Sequence, residues 1–169
     1  MDKEVLKVIK LAVNLEKKEI EYYKKAAEKT DDPDGKKVFN FLAQEEEDHL
    51  KALKEHLAVV EGRDAWVKDE KSFDKRVCRT IRRKHAKDII PSKPKANAGD
   101  VDALKQAIEI EKKSIDFYNE AGCGAKDGKA MKVLHYLLES EKNHLKELEM
   151  QHAFLKSQGF WYDNEITLT

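Results

Sequence analysis

The sequence predicts an all-α protein: four amphipathic helices in one bundle, arranged as two antiparallel pairs over about residues 2–61 and 100–157, joined by a long crossover over 62–99. Three observations carry this expectation. Apolar residues recur at helical spacing through four segments, with breaker runs between them. One stretch is written twice: LEKKEIEYY at Leu15–Tyr23 returns as IEKKSIDFY at Ile110–Tyr118, and LAQEEEDHLKAL at Leu42–Leu53 returns as LLESEKNHLKEL at Leu137–Leu148. The offset is 95 residues for Glu16 and Glu111, Glu46 and Glu141, His49 and His144, and Trp66 and Trp161, so the register never slips and the copies are a duplicated structural unit.

At 169 residues the whole chain, 1–169, is expected to form a single domain with a core that needs no staples. Asp2 can cap a first helix whose apolar residues Leu6, Ile9, Val13, Ile20 and Tyr23 run to about Lys29, ahead of the breaker run Thr30–Gly35. The second helix carries Val38, Phe41, Leu42, Leu50, Leu53 and Leu57 on one stripe and stops near Glu61 and Gly62. Asp100 caps a third helix that reaches about Glu120; Gly122, Gly124 and Gly128 supply a turn; a fourth helix runs from about Lys129 to Ser157. Short loops make each pair antiparallel.

The connection between the pairs is far longer than a bundle loop ordinarily is. To keep all four helices in one bundle, the chain must travel the bundle's length, as ferritin-like folds do with their one crossover. Within it, Ser72–Lys87 could form a short basic helix, and Pro91, Pro94 and Asn97–Gly99 read as extended linker. The alternative is that each pair docks on another chain's pair in a swapped dimer. Trp66 and Trp161 are expected to pack against the bundle ends.

Charged residues make up 39% of the chain, yet Lys+Arg and Asp+Glu are equal at 33 each, so most charge belongs to solvated helix faces and nucleic acid is not an expected partner. No apolar run approaches the roughly 20 residues that cross a bilayer, and MDKEVLKVIK has no signal-peptide core. A cytoplasmic protein without a membrane partner is expected. Cys78 and Cys123 form no C-x-x-C pair and receive no role.

The chemistry lies in what the repeat carries. Each copy supplies one Glu (Glu16, Glu111) and then one E-x-x-H (Glu46/His49, Glu141/His144). Residues three apart on a helix face the same way, so each E-x-x-H can offer an oxygen and a nitrogen to one ion or to adjacent ions. Four carboxylates and two imidazoles are the protein half of a two-metal site, with one His and one terminal carboxylate per ion and shared bridging carboxylates. Two divalent ions cancel the four negative charges, which would be very costly to bury alone. An oxygen-rich set with one imidazole per ion suits two iron ions, with manganese as the alternative, better than structural zinc.

Tyr23 and Tyr118 each follow Glu16 and Glu111 by seven residues, roughly the same face two turns on, so their hydroxyls could reach metal-bound carboxylates across the bundle. His56, His85, His135 and His152 lie outside the repeated pattern, and Glu45, Glu47, Asp48 and Glu139 are expected at the surface.

At these residues the chain resembles the rubrerythrin family of ferritin-like di-iron proteins. The likeness covers Leu6–Trp66 and Val101–Trp161. It implies a left-handed four-helix bundle, iron bound by Glu16, Glu46, His49, Glu111, Glu141 and His144, and peroxide reduction as the typical activity. Two features depart from the family's pattern. Rubrerythrins in the strict sense end in a rubredoxin-like domain with four cysteines, which this sequence lacks, so it looks like a stand-alone rubrerythrin-type domain. They also carry an extra Glu one turn after the helix-three ligand, where this chain has Ser114; Glu19, at the related position of helix one, is the candidate for an extra ligand in its place.

The expected function is therefore a non-haem di-iron oxidoreductase that reduces hydrogen peroxide with electrons from an external carrier such as a rubredoxin-like protein. Residues 62–99 hold twelve Lys/Arg against five Asp/Glu, a surface on which an acidic carrier could dock. The alternative is ferroxidase chemistry with dioxygen, or iron storage, which needs a hollow shell where a homodimer is otherwise expected.

Overall fold

The computed structural model describes residues 3–61, 99–124 and 128–162. Among them lie four α-helices, α1 (Lys3–Lys29), α2 (Pro33–Glu61), α3 (Asp100–Gly124) and α4 (Gly128–Gln158), and no strand. Asp2, Trp66, Cys78, His85, the basic stretch Ser72–Lys87 and the prolines Pro91 and Pro94 fall outside the described residues. No helix among those described is long and apolar enough to cross a membrane.

Three residues, Thr30 to Asp32, join α1 to α2. The Asp32 carboxylate accepts the backbone N–H of Asp34 at 2.8 Å and of Gly35 at 3.4 Å, which makes it the N-cap. Pro33 takes the first helical position, where its missing N–H has no partner to lose. Half of the run that reads as a breaker is thus the first turn of α2. Gly35 is required there: a Cβ on it would meet Trp161 Cε2 at 2.5 Å and Thr30 Cγ2 at 2.6 Å.

At the start of α3 the Gly99 carbonyl accepts the N–H groups of Asp102 and Ala103, at 2.9 and 3.0 Å, so Gly99 holds the cap position expected of Asp100. Asp100 instead accepts from Thr30 Oγ1 at 3.0 Å and from Trp161 Nε1 at 3.1 Å. One carboxylate thereby ties together the end of α1, the start of α3 and the segment after α4. α3 also runs through Gly122 to Gly124, past its expected end; burial of Ala121 and Gly124 outweighs the roughly 1 kcal/mol that an interior glycine costs. Gly159, with φ of 80°, turns the chain after α4, and Trp161 folds back edge-on against Phe39 with ring centroids 5.6 Å apart.

The Thr30–Asp100 bond puts the end of α1 beside the start of α3, so these two helices are antiparallel. Tyr22, whose hydroxyl donates to the Ala103 carbonyl at 2.8 Å, makes the same pairing. α2 runs back along α1, and Glu61 and Gly99 consequently lie at opposite ends of the bundle, the ferritin-like arrangement with a single crossover. Each helix packs chiefly on its hairpin partner, and the hairpins meet through α1 against α3 and α2 against α4.

The apolar stripes define where the core sits. α1 buries Val8, Ala12, Leu15, Tyr22, Tyr23 and Ala26; α3 buries Leu104, Ala107, Ile110, Phe117, Tyr118 and Ala121. On α2 the fully buried aromatic is Phe39, and Phe41, placed on the stripe by the sequence, is only half-buried. Ile20 and Leu50 are likewise half-buried.

Candidate metal centre

Along α2 and α4 the apolar stripe is interrupted at mid-height. α2 buries Phe39, Leu42 and Ala43, then Glu46 and His49, then Leu53; α4 buries Leu134 and Leu137, then Glu141 and His144, then Leu148. The E-x-x-H pairs occupy the inward stripe itself, with the i, i+3 step that keeps two side chains on one face. Glu16 from α1 and Glu111 from α3 join them, and none of the six residues is more than 4% exposed.

Their ligand atoms form two overlapping groups, Glu16, Glu46, His49 and Glu141 on one side and Glu46, Glu111, Glu141 and His144 on the other, each with all its atoms within 4.8 Å of one another. Glu46 and Glu141 belong to both. Glu46 Oε2 lies 2.8 Å from His49 Nδ1, and its Oε1 lies 3.0 Å from His144 Nδ1. Glu141 mirrors this, with Oε1 3.3 Å from His49 Nδ1 and Oε2 3.3 Å from His144 Nδ1. Each shared carboxylate therefore turns one oxygen toward each imidazole, and the two rings stack with centroids 5.4 Å apart. Glu16 approaches His49 at 3.4 Å and Glu111 approaches His144 at 3.9 Å.

Many of these buried atoms have no hydrogen-bond partner: Glu16 Oε2, Glu46 Oε1, Glu111 Oε2, both Glu141 oxygens and both His144 nitrogens. Orphaned buried polar atoms are costly. A converging set of them, made of carboxylate oxygens and Nδ1 atoms, fits a metal ion that would satisfy them together.

The electrostatics point the same way. Burial, reinforced by the negative charge of Glu46, pushes the Glu16 carboxyl well above its ordinary range; burial and Glu141 do the same to Glu111. Burial works against ionising Glu141 as well, but the attraction of the His144 and His49 imidazoles, each 3.3 Å away, outweighs that and holds it low. For His49 and His144 burial again opposes charge, and the surrounding carboxylates, Glu141 first, lift both imidazoles well above the usual histidine range. Without a cation the cluster holds protons in its place.

A second layer positions these groups. Tyr23 donates its hydroxyl to Glu111 Oε1, and Tyr118 donates to Glu16 Oε1. Burial, then the adjacent Glu111 and Glu16 charges, push these two phenols upward, so both remain protonated donors. Glu19, the candidate extra ligand, lies in neither group; its fully buried Oε1 accepts from Ser114 Oγ and its Oε2 has no partner. Burial and the charges of Glu46 and Glu16 raise its carboxyl strongly. His49 Nε2 lies 2.9 Å from Ser140 Oγ, and Tyr136 sets its ring edge-on at 5.9 Å.

Sequence reasoning missed Ser140, whose only signal is its place one residue before Glu141, and read Ser114 as a missing ligand when it is the donor to Glu19. Of the neighbours expected at the surface, Asp48 and Glu139 are exposed, while Glu45 and Glu47 are half-buried, Glu47 pairing with Lys24 at 2.5 Å. His135 is exposed and His152 half-buried away from the centre; the side chain of His56 is outside the described set. Cys123 is a free, exposed thiol.

No curated protein matches the chain. Among solved structures, a hypothetical protein from Pyrococcus furiosus superposes with a TM-score of 0.69 at 22% identity over 90% of each chain, a likeness of fold. The Rubrerythrin family model matches residues 7–151, which take in most of α1, all of α2 and α3, most of α4 and the site residues of all four helices. A duplicated Glu plus E-x-x-H, closed into one buried cluster inside a four-helix bundle, thus accompanies a match over most of the sequence, and the chain belongs to the rubrerythrin family.

Proposed function

We propose that the protein is a non-haem di-iron oxidoreductase that reduces hydrogen peroxide with electrons from an external carrier. The observation that supports this best is the sharing of Glu46 and Glu141 between two ligand groups. Glu16 and His49 would complete the set for one ion, Glu111 and His144 for the other. Four carboxylates and a single imidazole per ion favour iron, with manganese as the alternative. When bound, two ferrous ions would supply the two electrons that, with two protons, turn peroxide into two waters.

The rest of the work falls to the chain's own residues. Tyr23 and Tyr118 fix one oxygen of Glu111 and Glu16, leaving the other oxygen of each free toward the cluster. Glu19 Oε2, buried and unpartnered beside the cluster, is a place to hold a proton, because burial favours the neutral carboxyl. The apolar layers above and below, with Leu42 and Leu148 on one side and Leu53 and Leu137 on the other, keep bulk water out. The proposed reductant is an external carrier, and the basic segment 62–99, with twelve Lys/Arg against five Asp/Glu, is the proposed dock for an acidic one. A homodimer in the cytoplasm suits this role, and a large closed assembly seen by light scattering would favour iron storage instead.

Anaerobic loading with ferrous iron, metal counting, and rapid mixing with peroxide and separately with dioxygen test the reading. Two irons per chain, oxidised much faster by peroxide, are expected. Faster oxidation by dioxygen would replace the peroxidase with a ferroxidase, and failure to bind two irons would end the di-iron reading.

A further inference from the structure

The repeat makes two ligand groups alike in composition, and one hydrogen bond makes them unequal. His49 Nε2 meets Ser140 Oγ at 2.9 Å, whereas His144 Nε2 is buried with no partner. The sequence supplies the cause: the residue 95 positions before Ser140 is Glu45, a half-buried residue that makes no such bond to His144. Carboxylate oxygens also converge more closely on His49 Nδ1, at 2.8, 3.3 and 3.4 Å, than on His144 Nδ1, at 3.0, 3.3 and 3.9 Å.

Resting on the metal-centre reading, we infer that Ser140 makes the Glu16/His49 position the tighter, first-filled ion position and leaves the Glu111/His144 position the exchangeable one. An imidazole that binds an ion through Nδ1 carries its proton on Nε2. At His49 that N–H donates to Ser140, which selects the tautomer, holds the ring plane and raises the basicity of Nδ1. The Tyr136 ring, one turn before Ser140 on α4 and edge-on to His49 at 84°, packs against the same imidazole. His144 has the same ligand atom without the hydrogen bond that orients it. Ser140 is a positioning residue: it acts on the ion only through His49.

Anaerobic calorimetric titration with Co(II), followed in parallel by its visible absorption, tests this without any turnover. The wild-type protein should bind two ions in two steps about tenfold or more apart in affinity, the scale set by loss of an outer hydrogen bond to a ligand. Ser140→Ala should weaken the first step about 10- to 100-fold, so that the steps merge, and Ser140→Thr, which keeps the hydroxyl, should restore the separation. Glu45→Ser places the same hydroxyl opposite His144 and should tighten the second step alone. Two ions bound in one step, or two steps unmoved by Ser140→Ala, would overturn the inference and leave the metal centre standing. No ion bound by the wild-type chain would overturn both.

Discussion

Tyr23, on α1, donates its hydroxyl to the carboxylate of Glu111, on α3. Tyr118 returns the bond to Glu16. Each tyrosine follows the glutamate of its own repeat by seven residues, yet holds the glutamate of the other repeat. The cause is the antiparallel run of α1 and α3: two turns forward along one helix lies level with two turns back along the other. Neither copy of the repeat can therefore orient its terminal carboxylate alone.

Removing either hydroxyl should be felt at the opposite repeat. Tyr23→Phe is expected to weaken the Glu111/His144 position and Tyr118→Phe the Glu16/His49 position, each about 10- to 100-fold, as for other groups that orient metal ligands. Equilibrium dialysis against a divalent ion measures this, with helix content by circular dichroism unchanged. Identical affinities in wild type and both variants would detach the tyrosines from the site.

Ion binding should release protons. Burial raises the carboxyls of Glu16 and Glu111, and the surrounding carboxylates keep both imidazoles charged, so the ion-free cluster is partly protonated near neutral pH. An incoming cation needs those groups deprotonated and must displace the protons. Affinity is expected to fall as pH falls. Calorimetry in buffers of different ionisation enthalpy should return a positive proton release, and a value of zero would contradict the charge state described for the cluster.

The six residues of the buried Glu/His cluster are legible in the sequence because helix geometry restricts their spacing and the repeat displays the same residue types twice. The phase of the α2 stripe is less so. Periodicity alone allows Phe39 or Phe41 to face inward, and it is the alignment with Glu46 and His49 that selects Phe39. Other features depend on partners far along the chain. Gly35 is needed because Trp161 folds back onto it, and the Asp100 carboxylate is taken up by Thr30 and Trp161 while Gly99 holds the cap position. The Ser114–Glu19 and Ser140–His49 bonds cross between hairpins, and a serine has no spacing signature that would announce them.

The centre should be a burden to the ion-free fold. Glu111 is fully buried, with its carboxyl raised by burial and by Glu141. Its ionised form costs stability once the pH exceeds the unfolded value near 4.5, and the cost grows until the pH passes the higher folded value. Glu111→Gln keeps an acceptor for Tyr23 and removes the charge. The ion-free variant is expected to melt higher than ion-free wild type above about pH 4.5, with the difference vanishing below it, while its metal content drops. A lower melting temperature at neutral pH would show that the carboxylate stabilises the empty cluster.

Shared and terminal carboxylates should be separable by stoichiometry. Glu46 turns one oxygen toward each imidazole, 2.8 Å from His49 Nδ1 and 3.0 Å from His144 Nδ1, so Glu46→Ala removes a ligand from both groups at once. Glu141→Ala does the same from α4. Glu16 belongs to one group, so Glu16→Ala should empty one position and spare much of the other. Glu47 is the internal control: it is adjacent in sequence to Glu46 but pairs with Lys24 at 2.5 Å, away from the cluster. An exposed pair of this kind contributes little, about 0–1 kcal/mol, so Glu47→Ala should keep both its fold and its metal. Metal per chain after gel filtration is expected to rank wild type equal to Glu47→Ala, then Glu16→Ala, then Glu46→Ala and Glu141→Ala. The same loss in Glu16→Ala as in Glu46→Ala would mean that the two groups fill as a single unit, and full occupancy in Glu46→Ala would remove it from the bridge between them.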